Sequence, residues 1–293
     1  MPPLVHHPAY DADTVPDGHR FPMRKYSLLA ARLRQSGAQF HTPDLALQDT
    51  VSRVHDGDYV DAVFHQTLEP RAARQIGFAI TPAITRRSRA AVGGTLLAAH
   101  LALEKGCAIN LAGGSHHAGP TGGAGFCVFN DAAIAVRALI DAGRVRRAAI
   151  IDLDVHHGDG TALVFADDPK VATLSIHCEE NWPRVKPPSS IDVGLPRGTE
   201  DEAYLDALAP ALEQILATQP DLVVYNAGVD PHRDDRLGLL ALSDAGLFRR
   251  DRAVVEACAT RAIPLCGVLG GGYSLDADAV ARRHLLLVQA ASE

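Results

Sequence analysis

Short apolar runs alternate with segments of helical spacing along most of the chain. The predicted strands are Cys107–Leu111, Arg147–Asp152, Val171–Ile176, Leu222–Tyr225 and Pro264–Leu269. The predicted helices are Ser88–Glu104, Asn130–Asp141, Glu200–Ala217, Ser243–Arg261 and Asp276–Ala291. Near-continuous apolar strands that are separated by helices indicate a mostly parallel sheet that is covered on both faces. The alternation therefore predicts an α/β chain with three layers, α/β/α, around a central sheet.

The distribution of breaks favours one domain over two. The 293 residues are enough for two domains, but no linker-like tract divides them. The stretch Pro183–Ser190, rich in proline and serine, has the length of a surface loop. We therefore expect residues 1–293 to form a single domain, in which residues 1–85 are mostly helical with proline-rich breaks.

Composition excludes several classes of protein. The chain has 28 Lys and Arg against 35 Asp and Glu, a net charge of −7, whereas sequence-independent binding to nucleic acid requires clustered cations. No uncharged apolar run is long enough to span a membrane, and the N-terminus lacks the pattern of a signal peptide. The five cysteines contain no C-x-x-C pair, which is typical of a reducing compartment. We expect a cytoplasmic protein with neither a nucleic-acid nor a membrane partner.

Four of the predicted strands run into polar or glycine-rich segments. In chain order, these segments are GGSHHAGPTGGAGF, DLDVHHGDG, NAGVD and GGGYS. Ligands of open parallel sheets collect at the carboxyl ends of the strands. The four segments therefore predict one functional site at that edge of the sheet.

The segment DLDVHHGDG has the pattern of a metal site. While the backbone stays extended, Asp152, Asp154 and His156 project to one side. Two carboxylates and an imidazole are costly to bury in one space unless a cation lies between them. Their oxygen and nitrogen donors suit Zn²⁺, with Fe²⁺, Mn²⁺ or Co²⁺ as alternatives. The competing interpretation, acidic residues that cap the next helix, is weakened by the additional His157 and Asp159.

A catalytic zinc site usually takes three protein ligands and leaves one position open. Asp154 and His156 supply two ligands, and Asp230, just past the strand LVVY, is the best candidate for the third. His232 and Asp234 lie nearby, and spacing alone does not separate them from Asp230. An Asp-His-Asp set cancels the two charges of the metal, so the chemistry requires further acid–base groups.

Such groups follow two other strands. His116 and His117 lie among glycines that allow close approach, and two adjacent histidines can present their rings to one cavity. A histidine that transfers protons is usually oriented by a carboxylate on its other nitrogen, and Asp152 and Asp159 are available for this. Tyr273 follows three glycines and could donate its hydroxyl to a carbonyl oxygen opposite the metal.

Together these segments resemble the histone deacetylase superfamily, which shares its fold with the arginases. The matching segments are GGSHHAGPTGGAGFCVFNDAAIA (113–135), IDLDVHHGDGT (151–161), VVYNAGVD (223–230) and LGGGYS (269–274). Segments 180–208 and 236–251 are most similar to class IV members and their bacterial relatives. The resemblance implies the arginase/deacetylase fold and a zinc-dependent hydrolase of acyl amides.

The resemblance also implies the cation sites. One Zn²⁺ per chain would be bound by Asp154, His156 and Asp230, which favours Asp230 as the third ligand. The family has in addition a monovalent cation site, for an ion such as K⁺. The matching positions for that site are Asp152, Asp154, His156, Ser175 and Ile176.

The catalytic residues follow from the same resemblance. It implies two His–Asp dyads, His116 with Asp152 and His117 with Asp159. His117 would be the general base for the attacking water, and His116 would supply electrostatic and proton-donating help. Tyr273 would polarise the scissile carbonyl and stabilise the oxyanion.

The resemblance further implies a channel for an acyl-lysine side chain. Gly125 and Phe126 match residues that line the channel, with Phe126 as one wall, and Trp182 is a candidate for the opposite wall. Members that act on polyamines carry an acidic residue near the channel mouth, whereas the residue seven after Asp230 is Leu237.

Several functions share these motifs. Acylated lysine peptides or proteins are the expected substrates, and acetylated polyamines or an acetoin-utilisation-type amide are the alternatives. An arginase-like enzyme with two metals would require more bridging carboxylates, and a catalytically inert acyl-lysine binding protein is the alternative of another class.

Overall fold

The computed structural model of the chain describes residues 1–12, 15 and 18–293. Within these residues, eight strands form one sheet, and all seven of its pairings are parallel. The strands are β1 (Leu4–Val5), β2 (Phe40–His41), β3 (Cys107–Asn110), β4 (Ala148–Asp152), β5 (Val171–Cys178), β6 (Ile191–Leu195), β7 (Leu222–Asn226) and β8 (Leu265–Val268). Their order across the sheet is β2-β1-β3-β8-β7-β4-β5-β6.

Ten α-helices connect or flank these strands in the described part of the chain. They are α1 (Lys25–Gln35), α2 (Gln48–Val51), α3 (Gly57–Phe64), α4 (Pro70–Ile76), α5 (Pro82–Lys105), α6 (Asp131–Asp141), α7 (Asp159–Phe165), α8 (Asp201–Leu216), α9 (Asp244–Thr260) and α10 (Ala277–Ala290). No helix within the described ranges is both long and apolar enough to cross a bilayer.

Alternate residues of the central strands pack into two separate cores. In β4, Ala149 and Ile151 belong to one core, whereas Ala148 and Ile150 belong to the other. Helices α1, α8, α9 and α10 contribute to the first core, and most of α6 with the C-terminal half of α5 contributes to the second. The sheet is therefore covered on both faces, which confirms the predicted three-layer α/β/α arrangement.

The five predicted strands and five predicted helices are all present, with small differences at their ends. The largest difference is in α5, which begins at Pro82 rather than at Ser88. The Thr81 side chain accepts a hydrogen bond from the Ile84 backbone amide, and proline is favourable in the first turn. This capping signal lies ahead of the periodic apolar pattern that the prediction used.

Strands β1, β2 and β6 are not among the five predicted strands. The sequence Ile191-Asp192-Val193-Gly194 of β6 alternates between half-buried and exposed residues, because β6 lies at the edge of the sheet. A strand of this kind lacks the continuous apolar run that marks the central strands. Residues 183–190 precede β6 as an irregular loop, as predicted.

Candidate active site

The four polar segments meet at the carboxyl edge of the sheet and bond to one another through their backbones. Gly270 donates to the Gly113 carbonyl oxygen at 3.2 Å, and Val229 donates to the Gly271 carbonyl oxygen at 3.0 Å. Leu153 donates to the Asn226 carbonyl oxygen at 3.1 Å. The parallel strand order β3-β8-β7-β4 places these segments side by side, so the predicted site forms as one unit.

Asp154, His156 and Asp230 form a buried trio at the centre of this edge. One donor atom from each residue lies within 4.8 Å of the other two. His156 Nδ1 is 3.0 Å from Asp154 Oδ1 and 3.1 Å from Asp230 Oδ2. The trio therefore brings together the three residues for which the sequence predicted a metal-binding role.

The electrostatics of the trio favour a positive charge between its donors. Burial and the neighbouring Asp154 carboxylate raise the pKa of Asp230 to about 7. Although burial opposes a charged imidazole, the two carboxylates raise the pKa of His156 to about 10. Two buried acids that share one imidazole proton present the oxygen and nitrogen donors that suit zinc. The trio thus fits a divalent metal, which would replace that proton.

Nearby backbone groups hold the acidic members of the trio in place. Gly271 N donates to Asp154 Oδ2 at 2.7 Å, and Val155 N donates to Asp230 Oδ1 at 2.9 Å. A Cβ atom at Gly271 would lie 2.6 Å from Asp154 Oδ2, so any larger residue would collide with the carboxylate. Glycine is therefore required where the segment after β8 crosses the trio.

Two His–Asp pairs lie next to the trio. His116 Nδ1 is 2.7 Å from Asp152 Oδ2, and His117 Nδ1 is 2.6 Å from Asp159 Oδ1. The rings of His116 and His117 have centroids 3.9 Å apart, and His116 Nε2 is 3.7 Å from Asp154 Oδ1. The structure thus pairs the four residues as the resemblance implied.

The two histidines differ in their affinity for a proton. Burial disfavours charge on His116, but the Asp152 and Asp154 carboxylates raise its pKa to about 9. Burial and the charge of His116 lower the pKa of His117 to about 3, despite the hydrogen bond to Asp159. The site therefore contains one charged imidazole and one neutral imidazole side by side, which are a potential acid and a potential base.

Tyr273 and Phe126 line a channel that reaches His156 of the trio. The channel has a volume of about 890 Å³, and its lining includes His117, Gly125, Phe126, His156, Trp182 and Tyr273. The ring centroid of Tyr273 is 6.0 Å from that of His156 and 5.8 Å from that of Phe126. Burial raises the pKa of the Tyr273 hydroxyl well above its usual value, so the hydroxyl keeps its proton.

The predicted channel residues all lie in the lining. Gly125 and Phe126 have positive φ angles of 52° and 68°, and Phe126 N donates to the Ile76 carbonyl oxygen at 2.6 Å. Trp182, the candidate for the second wall, is 44% exposed and its ring centroid is 4.5 Å from that of His117. Leu237 also lines the channel, at the position where an acidic residue was considered.

The residues of the predicted monovalent cation site are adjacent through the pairing of β4 with β5. Asp152 pairs with Ser175 in the register, and Ile176 follows Ser175 along β5. Ser175 Oγ is 3.0 Å from His177 Nδ1. Occupation of these positions by K⁺ stays a prediction.

The competing candidates for the third ligand lie elsewhere. His232 Nε2 is 3.3 Å from Asp244 Oδ1, and its Nδ1 accepts a hydrogen bond from Asp234 N at 3.0 Å. The Asp234 side chain is 66% exposed and pairs with Arg283. Among the described residues, neither His232 nor Asp234 belongs to a cluster with Asp154 and His156.

Sequence analysis missed several residues that brace the site. Asn226 Nδ2 donates to Asp152 Oδ1 at 2.9 Å. Asp131 accepts hydrogen bonds from Gly114 N at 3.1 Å and from Ser115 N at 2.9 Å. Asn226 and Asp131 stand in the quoted motifs NAGVD and FNDAAIA, so their positions next to the predicted ligands were the available signal.

Two buried cations were missed as well. Arg250 on α9 donates to the Leu153 and Gly228 carbonyl oxygens at 3.1 and 2.7 Å. Lys25 on α1 is fully buried and donates to the Gly270 carbonyl oxygen at 2.9 Å. Both come from helices distant in sequence, and no local pattern distinguishes them from the exposed arginines around them.

Comparison of the sequence with known proteins gives three findings. A family model described as the histone deacetylase domain matches residues 19–289. An uncharacterised protein of Picosynechococcus sp. is 47% identical, over 99% of this chain and 98% of that protein. The acetoin utilization protein AcuC of Bacillus subtilis is 30% identical, over 93% of this chain and 77% of that protein.

A known structure has the same fold. The acetylpolyamine aminohydrolase from Burkholderia pseudomallei superposes with a TM-score of 0.81. The match covers 100% of this chain and 99% of that chain, at 22% sequence identity. This likeness confirms the predicted arginase/deacetylase type of fold.

Proposed function

Because the chain belongs to the histone deacetylase family, we propose that it is a zinc-dependent deacylase that hydrolyses the acyl amide of an acylated lysine. Amide hydrolysis of the deacetylase type is supported by the matching domain and by relatives such as AcuC. One observation carries the proposal: a buried Asp-His-Asp trio, two His–Asp pairs and a tyrosine converge at the end of one channel.

Asp154, His156 and Asp230 would hold the zinc ion, and Fe²⁺ is the alternative for the same donors. Zinc supplies a Lewis acid at this position, which polarises a carbonyl oxygen and lowers the pKa of water. The two carboxylates balance the charge of the ion, so the remaining steps rest on the neighbouring side chains. A monovalent ion such as K⁺ beside Asp152 and Ser175 is part of the same proposal.

His117 is the proposed general base. Its Nδ1 is engaged by Asp159, so Nε2 is the nitrogen that accepts a proton from the attacking water. The neutral state of His117, which its low pKa ensures, is the state that this step requires. Asp159 orients the ring and stabilises the imidazolium that forms.

His116 and Tyr273 complete the proposed reaction. His116 is charged, since Asp152 and Asp154 raise its pKa, and it supplies positive charge and a proton for the leaving amine. The Tyr273 hydroxyl donates a hydrogen bond to the oxyanion that develops on the scissile carbonyl. The products are a free amine and a carboxylate.

The charge of the channel favours an acyl-lysine in a peptide over an acetylated polyamine. Arg20 and Arg74 are in the lining, and none of the described lining residues is acidic. Leu237 occupies the position at which an acidic residue would attract a second amine. A polyamine keeps cationic amines next to the acyl group, and these would be repelled by the two arginines. We propose that the enzyme prefers peptide substrates in which acidic residues flank the acyl-lysine.

A substrate panel tests the proposal. The zinc-loaded enzyme is assayed against peptides with lysine acyl groups from acetyl to myristoyl and against acetylated polyamines, with Asp230→Ala as the inactive control. Turnover of an acyl-lysine peptide supports the deacylase. Turnover of acetylated polyamines alone would assign the alternative amidohydrolase, and zinc-loaded protein without turnover on any member would indicate an acyl-lysine binding protein.

The charge preference has its own test. Acetyl-lysine peptides with acidic or basic flanking residues are compared on the wild type, Arg20→Gln and Arg74→Gln. Exposed charges contribute about 0.2–1 kcal/mol each, so each variant should reduce the acidic-to-basic ratio of kcat/KM by a factor of about 1.5 to 5. Arg71→Gln is the matched control, because Arg71 lies on α4 outside the described channel lining. An unchanged ratio in both variants would contradict the preference.

The family model matches residues 19–289, and the described strands form one sheet. These observations support our further proposal that residues 1–293 are a single catalytic domain. Limited proteolysis that released two stable folded fragments would contradict it.

A further inference from the structure

A second cluster of metal-ligating side chains lies outside the channel. It consists of His157, His177 and Asp192, whose donor atoms all lie within 4.8 Å of one another. His157 Nε2 is 3.0 Å from Asp192 Oδ1, and the ring centroids of His157 and His177 are 4.7 Å apart. The reaction proposed above uses none of these residues.

The cluster follows from the pairing of β5 with β6. Side chains two apart on a strand share a face, so Ser175, His177 and Glu179 project together from the end of β5. Ser175 pairs with Asp192, which places the Asp192 carboxylate diagonally opposite His177. His177 Nε2 is also 3.7 Å from Glu179 Oε2, but Glu179 is not a member of the three-residue cluster.

The histidines are buried and the acids reach solvent. The His157 and His177 side chains are 0% and 2% exposed, whereas those of Asp192 and Glu179 are 33% and 65% exposed.

One buried polar atom in the cluster has no partner. His157 Nδ1 lacks a hydrogen bond, so the ring is held in the described structure through Nε2 alone, by Asp192 at 3.0 Å and Ser189 Oγ at 3.5 Å. Two metal ligands in a tetrahedral site lie about 3.3 Å apart, given metal–ligand distances of about 2.0–2.2 Å. The observed separation of Nε2 from the carboxylate therefore suits a shared ion.

We propose that His157, His177 and Asp192 bind a divalent transition metal, with Zn²⁺ preferred. Two imidazoles and one carboxylate supply three of the four donors of a tetrahedral site, and a water molecule would complete it. The ion links the segment after β4 to β5 and to β6, the strand at the edge of the sheet. It is separate from the Asp154–His156–Asp230 trio and does not enter the reaction.

Metal content of defined variants tests this site. Chelator-treated protein is titrated with Zn²⁺ by calorimetry, and bound zinc is counted by elemental analysis after dialysis. We expect two zinc ions in the wild type, one in Asp192→Asn, one in Asp230→Asn and none in the double variant. We also expect zinc to raise the melting temperature of Asp230→Asn, because only the edge site remains in that variant.

Two further variants keep the result decisive. His177→Asn removes a different ligand and should also leave one zinc ion. A variant that keeps the zinc ion of the trio is still folded, so loss of only one ion in both variants identifies loss of the second site. Asp61→Asn is the matched control, since it removes the carboxylate of an exposed His–Asp pair that lies 3.1 Å apart. One zinc ion in the wild type, or two in both Asp192→Asn and His177→Asn, would overturn the proposal. Unchanged zinc content in Asp230→Asn would instead contradict the catalytic assignment.

Discussion

Replacing Arg250 with methionine should loosen the two segments that carry the acidic members of the trio. Arg250 is fully buried, and its Nη1 donates to the carbonyl oxygens of Leu153 and Gly228. Leu153 immediately precedes Asp154, and Gly228 lies two residues before Asp230. One guanidinium therefore fixes the separation of the segments after β4 and β7.

The expected loss in the free energy of unfolding follows from the groups that Arg250→Met leaves unpaired. Arg250 Nε and Nη2 donate to Asp251 Oδ1 at 3.0 and 2.8 Å, and both side chains are at most 1% exposed. Removing one partner of a buried ion pair costs about 3–5 kcal/mol, and an unpaired buried carbonyl oxygen costs about 1–3 kcal/mol. Tyr225 still donates to Asp251, and protonation of that carboxyl relieves part of the penalty. We therefore expect a loss of about 4–6 kcal/mol in the free energy of unfolding.

The assay is equilibrium unfolding in urea, followed by far-UV circular dichroism and by the fluorescence of the single tryptophan. Arg249→Met is the matched control, because Arg249 is adjacent in sequence but its side chain is 50% exposed and pairs with Glu202 at the surface. An exposed pair of this kind contributes at most about 1 kcal/mol. Equal losses in Arg249→Met and Arg250→Met would refute the reasoning, as would zinc affinity unchanged in Arg250→Met.

Three other changes have defined outcomes. Tyr273→Phe should lower kcat on an acyl-lysine peptide by about 10²–10³ with zinc content unchanged, and near-normal turnover would contradict the assignment. Asp230→Ala should abolish zinc binding at the trio, as measured by elemental analysis. A zinc content equal to that of the wild type would favour His232 or Asp234 as the third ligand. Burial lowers the pKa of His55 to about 4, so the unfolded chain binds its proton first and stability falls as pH drops from about 6.5 towards 4. The free energy of unfolding, measured in urea, should differ between pH 7 and pH 5 by about 2 kcal/mol less in His55→Gln than in the wild type. The same change at the exposed His65, His65→Gln, should leave that difference unaltered.

The parts of the fold that the sequence predicts are those with a strong local signal. The central strands β4 and β7 are buried on both faces, so every residue in them is apolar until the polar end. The edge strand β6 is half-exposed and has Asp192 and Gly194 in place of apolar residues, so its pattern is that of a loop. Pairing with β5, which depends on tertiary structure, turns that segment into a strand.

The same distinction applies to the site. The trio and the histidine pairs come from short motifs at strand ends, where sequence neighbours remain neighbours in space. Arg250 and Lys25 reach the site from helices. Arg250 is 22 residues from its partner Gly228 in the sequence, and Lys25 is 245 residues from its partner Gly270. Such contacts are set by how helices pack on the sheet, which a single sequence does not specify.

The distribution of hydrogen-bond donors distinguishes the trio from the other buried acids as the place proposed for a cation. The Asp152 carboxylate is hydrogen-bonded by Asn226 Nδ2 and His116, and the Asp251 carboxylate is hydrogen-bonded by Arg250. Asp131 accepts from Thr95 and from two backbone amides. Asp154 and Asp230 also accept backbone hydrogen bonds, but both share the single Nδ1 of His156 as a hydrogen-bond partner. Two buried charges with one shared proton leave a deficit of positive charge, and a divalent ion removes it.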